Sequence, residues 1–195
     1  IFPQSYTGVM GYGSRPVAEL VVHYLAYAGN GESSFSSQDD NNENKAIGGR
    51  LGLEAPTSWG FDQLQVAAGG CDDSSPGAAR TRVWGADAQI RRGPIEVLSE
   101  FASRTGAKQR RGFYLQPSWR LGPKSAVYYR YDLLQVEAPE SPLETVEHTI
   151  GLNFRPVSDV SLKIELYRSI PSRYLDYNAV VLAMAAALTS SSGIL

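Results

Sequence analysis

Charged side chains recur at every second position through much of the chain. They are the residues that could give this protein a chemical function. They occupy alternate positions of the predicted strands and include both positive and negative charges: Arg50, Glu54, Asp87, Arg91, Glu96, Glu100, Arg104, Arg120, Arg130, Asp132, Glu147, Arg155, Lys163 and Glu165. Successive side chains of a β-strand point to opposite sides, so this period places the charges on one face of a sheet. Such a face suits a water-filled interior whose opposite charges neighbour one another across strands. It also suits the outer face of a soluble sheet.

No arrangement of side chains predicts catalysis or metal binding. His23 and His148 lie far apart in the sequence and in no metal-ligand spacing. Glu96 and Glu100 share a face, as the paired acids of a glycosidase do. Basic residues on the neighbouring strands favour a network of ion pairs instead. Because no Ser/His/Asp arrangement is visible either, we expect a protein that is not an enzyme and carries no cofactor.

Composition narrows the class of protein. A hydrophobic content of 43% and a charged content of 19%, with a mean hydropathy of -0.23, exclude a helical membrane protein but fit strands that alternate apolar and polar residues. A net charge of -2 and a pI near 5.7 predict no binding to nucleic acid. We expect residues 1–195 to form a single domain. Cys71, the one cysteine, is expected as a solvated loop thiol.

The charged side chains must be positioned by β-strands, and the segment Val160–Tyr167 shows the pattern of such a strand. Its apolar residues occupy one side of an extended strand and its polar residues the other. Most such segments run to about 9–11 residues, the length of a tilted membrane-spanning strand. Eleven segments of this kind are predicted: Tyr6–Tyr12, Val17–Ala28, Ala46–Ala55, Phe61–Gly69, Thr81–Arg91, Ile95–Arg104, Gly112–Leu121, Ser125–Gln135, Val146–Arg155, Val160–Arg168 and Asn178–Leu188.

The predicted connections alternate between short and long. The short ones are Gly13–Pro16, Pro56–Gly60, Arg92–Pro94, Gly122–Lys124 and Pro156–Asp159. The long ones are Gly29–Lys45, Gly70–Arg80, Thr105–Arg111, Val136–Thr145 and Ser169–Tyr177. Short periplasmic turns and longer extracellular loops are typical of an outer-membrane β-barrel. In a soluble sheet nothing requires the short connections to lie at one end and the long ones at the other.

The face opposite the charges is apolar, and aromatic residues concentrate near strand ends. Aromatic residues at strand ends are expected in a membrane barrel, where they form girdles at the two membrane–water interfaces. The alternative explanation is the general preference of aromatic residues for β-strands. Pro117 falls in the middle of a predicted strand, where it should mark a bulge or a local break. The predicted girdle comprises Tyr24, Tyr27, Trp59, Trp84, Phe113, Trp119, Tyr174 and Tyr177.

Several short motifs resemble the phosphate-selective-type porins of Gram-negative outer membranes. The hairpin Val83–Gln89 followed by Arg92–Glu96 resembles the strand, Gly-Pro turn and return strand of that family. Further similar stretches are Glu100-Phe101, Gly112–Trp119, Tyr129–Asp132, Gly151–Pro156 and Leu162–Glu165. The likeness extends over roughly residues 17–188 and is to the C-terminal half of such a porin.

This resemblance implies a transmembrane antiparallel up-and-down β-barrel of about 16 strands, commonly a homotrimer. It implies an integral protein of the bacterial outer membrane, in contact with lipid and lipopolysaccharide. Small hydrophilic solutes would diffuse passively through its water-filled channel, with a weak anion preference at most. The fourteen charged residues would then line the pore. Because the strand count is odd, the chain is expected to be a fragment lacking N-terminal strands.

Two alternatives stay open. One is a barrel sheath around a periplasmic partner such as a cytochrome, and the other is a soluble β-sandwich binding module. A departure from the porin pattern is that Thr189–Leu195 follow the last predicted strand, where porins end on an aromatic residue. The polar run Asp39–Asn44 carries oxygen ligands for Ca²⁺ or for cations that bridge lipopolysaccharide, but it lacks EF-hand spacing, so a solvated loop is expected.

Overall fold

The computed structural model of the chain describes residues 8–30, 45–73, 80–106, 109–137, 142–157, 160–172 and 176–186. They form one antiparallel sheet of 11 strands in which every strand pairs with its neighbours in sequence. The predicted count of eleven strands and the up-and-down order are therefore confirmed. Within the described part of the chain, no helix is long and apolar enough to cross a membrane.

The strands run from 10 to 15 residues, longer than most strands of soluble domains. They are β1 Gly8–Val17, β2 Leu20–Asn30, β3 Lys45–Glu54, β4 Gln63–Asp73, β5 Thr81–Arg92, β6 Ile95–Thr105, β7 Gln109–Arg120, β8 Ser125–Glu137, β9 Leu143–Val157, β10 Val160–Pro171 and β11 Tyr177–Ala186. A short 3-10 helix, Thr57–Trp59, lies between β3 and β4.

The first predicted turn, Gly13–Pro16, is wrong. These residues continue β1 and pair with β2, and the chain turns at Ala18 and Glu19 instead. Pro16 has no backbone N–H, which an edge strand tolerates because one side of its ladder is unpaired. Ala18 adopts a φ of 53°, the positive value that a two-residue hairpin turn needs.

Proline and bulge positions also differ from expectation. β7 passes through Pro117, and its pairing with β8 keeps the same register on both sides of that residue. Of the two outcomes predicted for Pro117, the local break is confirmed, because the ladder to β8 is interrupted there, and no bulge accompanies it. A register shift does occur between β9 and β10, at Val160 and Leu162.

Burial separates the two faces of the sheet. Large apolar side chains such as Ile47, Ile150 and Val180, on one face, are 61–65% exposed. Hydrophobic side chains that are buried lie instead on the charged face: Ala46, Cys71, Val83, Ala102 and Tyr128. Cys71, expected in a solvated loop, is thus a buried residue of β4. The sheet therefore curls around its charged face and turns its apolar face outward.

The sheet is continuous and has two edges. In the described residues β1 pairs with β2 alone, and β11 pairs with β10 alone. The sandwich alternative required two sheets packed against each other through apolar faces. One continuous sheet with its apolar face exposed does not fit that architecture.

Candidate functional site

Strand register brings the predicted site residues onto one face, called the polar face below. One row across β5 to β9 reads Asp87, Glu100, Tyr114, Asp132 and Glu147, each directly opposite the next. The other predicted residues fall on the same face through register and two-residue alternation: Arg50, Glu54, Arg91, Glu96, Arg104, Arg120, Arg130, Arg155, Lys163 and Glu165.

Arg50 and Asp87 form an ion pair that spans a strand. Arg50 Nη2 donates to both carboxylate oxygens of Asp87, each at 2.7 Å. The two residues belong to β3 and β5, so the guanidinium crosses β4, where Gly69 lies opposite Arg50. A side chain at Gly69 would crowd the Cβ of Arg50 at 3.0 Å. The glycine therefore leaves room for the arginine to reach its partner.

A second ion pair lies on β8 and carries an aromatic contact. The Arg130 guanidinium donates to both oxygens of Asp132 at 2.6–2.9 Å. The same guanidinium lies 4.4 Å from the ring centroid of Tyr114, a cation–π arrangement. The carboxylate and the ring together fix the arginine over β7 and β8.

A third cluster joins β8 to β10 across a glycine. Lys163 Nζ lies 2.9 Å from Glu165, and the Tyr128 hydroxyl donates to the same carboxylate. Gly151 of β9 is opposite both Tyr128 and Glu165. A Cβ at Gly151 would overlap the Tyr128 ring, which covers this glycine.

Hydrogen bonds connect uncharged and charged groups at the end of the sheet where β3 is joined to β4 and β5 to β6. The carboxylate of Glu54 accepts from Gln65 Nε2 at 3.0 Å and from His23 Nε2, also at 3.0 Å. Gln89 Nε2 donates to Glu96 Oε1 at 2.7 Å. These contacts hold the two carboxylates through glutamine and histidine side chains, whereas the sequence predicted ion pairs with basic residues.

Some predicted site residues are not neutralised in this way. Within the described residues Arg91, Glu100 and Glu147 form no ion pair. Arg120 donates through Nη2 to the carbonyl oxygen of Gly93, in the turn between β5 and β6. The polar face thus combines paired charges, which are fixed, with charges of both signs that stay open to solvent or solute.

Tyrosines on the polar face were missed by the sequence analysis. Tyr27 and Tyr177 were predicted in the outward girdle, but register places them on the polar face, with Tyr114, Tyr128 and Tyr167. A signal was present for Tyr27 and Tyr128, since each has a glycine at the opposite position of the next strand. Tyr174 and the run Asp39–Asn44 lie outside the described residues.

Two concave regions occupy the polar face and meet at Glu100 and Tyr114. One, of about 450 Å³, has Gly69 and Gly85 in its floor, beside Arg50 and Asp87. The other, of about 400 Å³, lies beside Arg130 and Asp132. Both contain more than one charged group, so they are suited to polar solutes.

Groups that could support other chemistry are sparse in the described part of the chain. No cluster of three or more His, Cys, Asp or Glu there could hold a metal ion. His148 lies on the apolar face, with Nδ1 2.7 Å from the Tyr129 hydroxyl. Outside the strands, the hydrogen bond to Asp72 raises the pKa of Arg80, which keeps this exposed guanidinium charged.

Comparisons with known proteins bear on the fold. No protein-family model and no curated protein sequence matches the chain. Among solved structures, the chain is similar to OmpTdeltaL8, the loop L8 deletion mutant of OmpT, an outer membrane protein of Vibrio cholerae, with a TM-score of 0.57 and 11% sequence identity. The match covers 85% of this chain and 62% of the Vibrio protein, so the chain spans under two thirds of its neighbour.

This likeness, at low identity, concerns the fold alone. The described residues form an all-β antiparallel up-and-down sheet of 11 strands, similar to an outer-membrane β-barrel. The narrower resemblance to phosphate-selective porins stays a prediction.

Proposed function

We propose that the chain forms the wall of a porin in the bacterial outer membrane. Its apolar face contacts lipid, and its polar face lines a water-filled channel through which small hydrophilic solutes diffuse passively. The fourteen charged residues predicted from the sequence act as pore-lining groups, and no catalytic step or cofactor is required.

One observation carries this proposal: the sheet curls around its charges and exposes its aliphatic side chains. In water, burial of apolar surface drives folding, so a soluble sheet would do the reverse. The outward face carries Leu51, Ile150 and Ile164, exposed by 56%, 61% and 47%. In a bilayer these side chains are solvated by hydrocarbon, and the ionised groups face a wet interior.

The pairing of positive with negative side chains on the polar face supports weak ion selectivity of the proposed channel. Arg50, Arg130 and Lys163 each pair with a carboxylate on the polar face. Pairs of this kind cancel most of the field that a passing ion experiences, and rings of a single charge sign are what makes pores strongly selective. A weak anion preference at most is therefore part of the proposal.

Closure of the barrel is the remaining requirement. Unpaired backbone groups at a sheet edge cost several kcal/mol each in hydrocarbon, so a spanning sheet must close on itself. We propose that further strands cover β1 and β11 in the assembled barrel, which is expected to have about 16 strands. Assembly into a homotrimer, as in the porins that the chain resembles, is part of the same proposal.

A pair of neighbouring lysine substitutions tests the orientation of the sheet. Ile150 lies on the apolar face of β9, and Thr149 beside it lies on the polar face. Lysine at position 150 should destabilise the membrane-inserted protein by about 2–4 kcal/mol, the cost of a base near the bilayer midplane. Thr149→Lys should cost far less. Unfolding in lipid vesicles by guanidinium measures both.

The outcome of that test is decisive. On a water-exposed surface, Ile150→Lys would change stability by only about 0.5 kcal/mol. Equal, small effects of the two substitutions would therefore refute the membrane orientation. Recovery of the protein from the soluble fraction without detergent would refute it independently.

Single-channel recording in planar bilayers tests transport itself. Stable conductance steps with near-equal permeability to K⁺ and Cl⁻ are expected. A protein that inserts and shows heat-modifiable migration on gels, yet conducts nothing, would instead favour a sheath filled by a periplasmic partner.

A further inference from the structure

A groove of about 500 Å³ lies on the apolar face, at the end of the sheet where β6 is joined to β7. It crosses β5, β6, β7 and β8. Its floor is formed by Trp84, Phe101 and Phe113, and the rings of Trp84 and Phe101 are 4.9 Å apart. A groove with this floor offers a binding site for a hydrocarbon chain.

The groove is layered along the strands. One row across the strands is apolar, with Phe101 opposite Phe113 and Phe113 opposite Leu133. The next row of the same face, closer to the strand ends, begins with Trp84 opposite Ser103 and continues with polar residues, Ser103 opposite Arg111 and Arg111 opposite Gln135. Hydrocarbon-binding and hydrogen-bonding groups therefore lie at successive depths along the strands, as the acyl chain and the headgroup of a lipid do.

The charged residue in the groove determines which class of lipid headgroup the groove can bind. Of the described residues that line it, Arg111 is the one with a full charge. Arg111 forms an ion pair with Glu137 across 3.8 Å, a separation too long for a hydrogen bond, so Glu137 offsets part of the charge of Arg111 but occupies none of its donors. The donors of Arg111 therefore remain available, and a guanidinium binds phosphate oxygens in bidentate geometry.

From this geometry we propose that the groove binds one anionic membrane lipid, with its phosphate on Arg111 and an acyl chain along Phe101 and Phe113. The proposal rests on the proposed membrane function, because it requires the apolar face to be in lipid. It adds a specific site and a headgroup class to what would otherwise be uniform contact with hydrocarbon.

Trp84 provides a reporter inside the groove. The other tryptophans, Trp59 and Trp119, lie near the opposite ends of the strands, and Trp59→Phe with Trp119→Phe leaves Trp84 as the sole tryptophan. The purified protein is reconstituted into phosphatidylcholine vesicles containing phosphatidylglycerol. Bromine, a contact quencher, is placed on the acyl chains of one lipid or of the other. At equal mole fraction, brominated phosphatidylglycerol should occupy the groove up to about fivefold more, the largest factor expected from one basic residue near an anionic lipid, because Glu137 offsets part of the charge.

Arg111→Gln should abolish this preference, so that both brominated lipids quench Trp84 alike. Arg110→Gln is the matched control, because it removes the same charge from the adjacent residue on the polar face. It should leave the preference intact. Equal quenching by both lipids in the protein that retains Arg111 and Arg110 would overturn the lipid site. An equal effect of the two substitutions would also overturn it, and either result would leave the membrane orientation intact. Absence of quenching by either lipid would overturn both proposals.

Discussion

At the scale of single residues, tyrosine and glycine form recurring cross-strand pairs. Tyr24 is opposite Gly13, Tyr27 is opposite Gly48, and Tyr128 is opposite Gly151. In each pair a Cβ on the glycine would overlap the tyrosine ring. A ring that covers an opposite glycine compensates for the missing side chain, and it pins the register of the two strands.

We predict that Gly151→Ala destabilises the protein by about 1–3 kcal/mol, the usual cost of overpacking. The new methyl group would displace the Tyr128 ring and break its bond to Glu165. Gly11→Ala is the control, because a Cβ there meets nothing within 4 Å. Denaturant unfolding of both variants measures the difference. If overlap with the ring is the cause, adding Tyr128→Ala to Gly151→Ala should cost less than the two single changes together.

At the scale of the elements, the hairpin of β1 and β2 shows how a turn is chosen by register. The residues that look most like a turn, Gly13–Pro16, lie within β1. Pairing of Val17 with Leu20 leaves two residues for the turn, and a positive φ at the first of them follows. Cross-strand pairs such as Tyr24 with Gly13 therefore outweigh the local turn preference.

Two glycine substitutions in this hairpin should act with opposite signs. Ala18 has a positive φ, which costs an L-residue about 1 kcal/mol or more, so Ala18→Gly should stabilise the protein by up to about 1 kcal/mol. Ala26 lies in the interior of β2, where glycine should destabilise by about 0.5–1 kcal/mol. Unfolding midpoints compared with that of the unchanged protein provide the test. Destabilisation by both substitutions would contradict the turn at Ala18 and Glu19.

At the scale of the whole molecule, curvature assigns the two faces different surroundings. Ion pairs that skip a strand, as Arg50 with Asp87 does, link next-nearest strands across the polar face. They are consistent with a sheet that curls towards its charged side. The exposed aliphatic face then forms the outside, and the proposed channel follows from this arrangement.

Charge removal on the polar face should shift ion selectivity in a direction set by its sign. Arg50→Gln leaves Asp87 unpaired and should move the reversal potential of the proposed channel towards cation preference. Asp87→Asn should move it towards anion preference. Each shift in the permeability ratio should stay below about fivefold, because a single charge acting through water is worth about 1 kcal/mol at 4 Å.

The control for this prediction is Arg82→Gln, which removes an arginine from the apolar face where it pairs with Asp72. It should leave the reversal potential unchanged. Shifts of the same sign from Arg50→Gln and Asp87→Asn would show that neither charge acts on the permeating ion.

Much of the fold could be predicted from the sequence because a two-residue period is a local property. Alternation in segments such as Val160–Tyr167 identified the strands and assigned each charge to a face, and eleven strands were found where eleven were expected. Arg130 and Glu165 share the polar face for that reason alone. Strand ends were less well predicted, as with Cys71, because β4 continues beyond the apparent start of a loop.

Other features depend on pairs of residues from different strands. The contact of the Tyr27 ring with Gly48 exists because the two residues lie opposite each other on neighbouring strands. The reach of Arg50 to Asp87 requires a glycine on the strand between them. Neither relation can be recognised from one segment of sequence, since it depends on which residue of the next strand lies opposite.

By itself, then, the sequence determined which side chains share a face, because neighbouring residues of a strand must point in opposite directions. Only the tertiary structure decided which face is concave. Alternation is identical in a sheet that buries its apolar side and in one that exposes it. The burial of Ala102 and Tyr128 beside the charges, and the exposure of Ile150, distinguish the two cases.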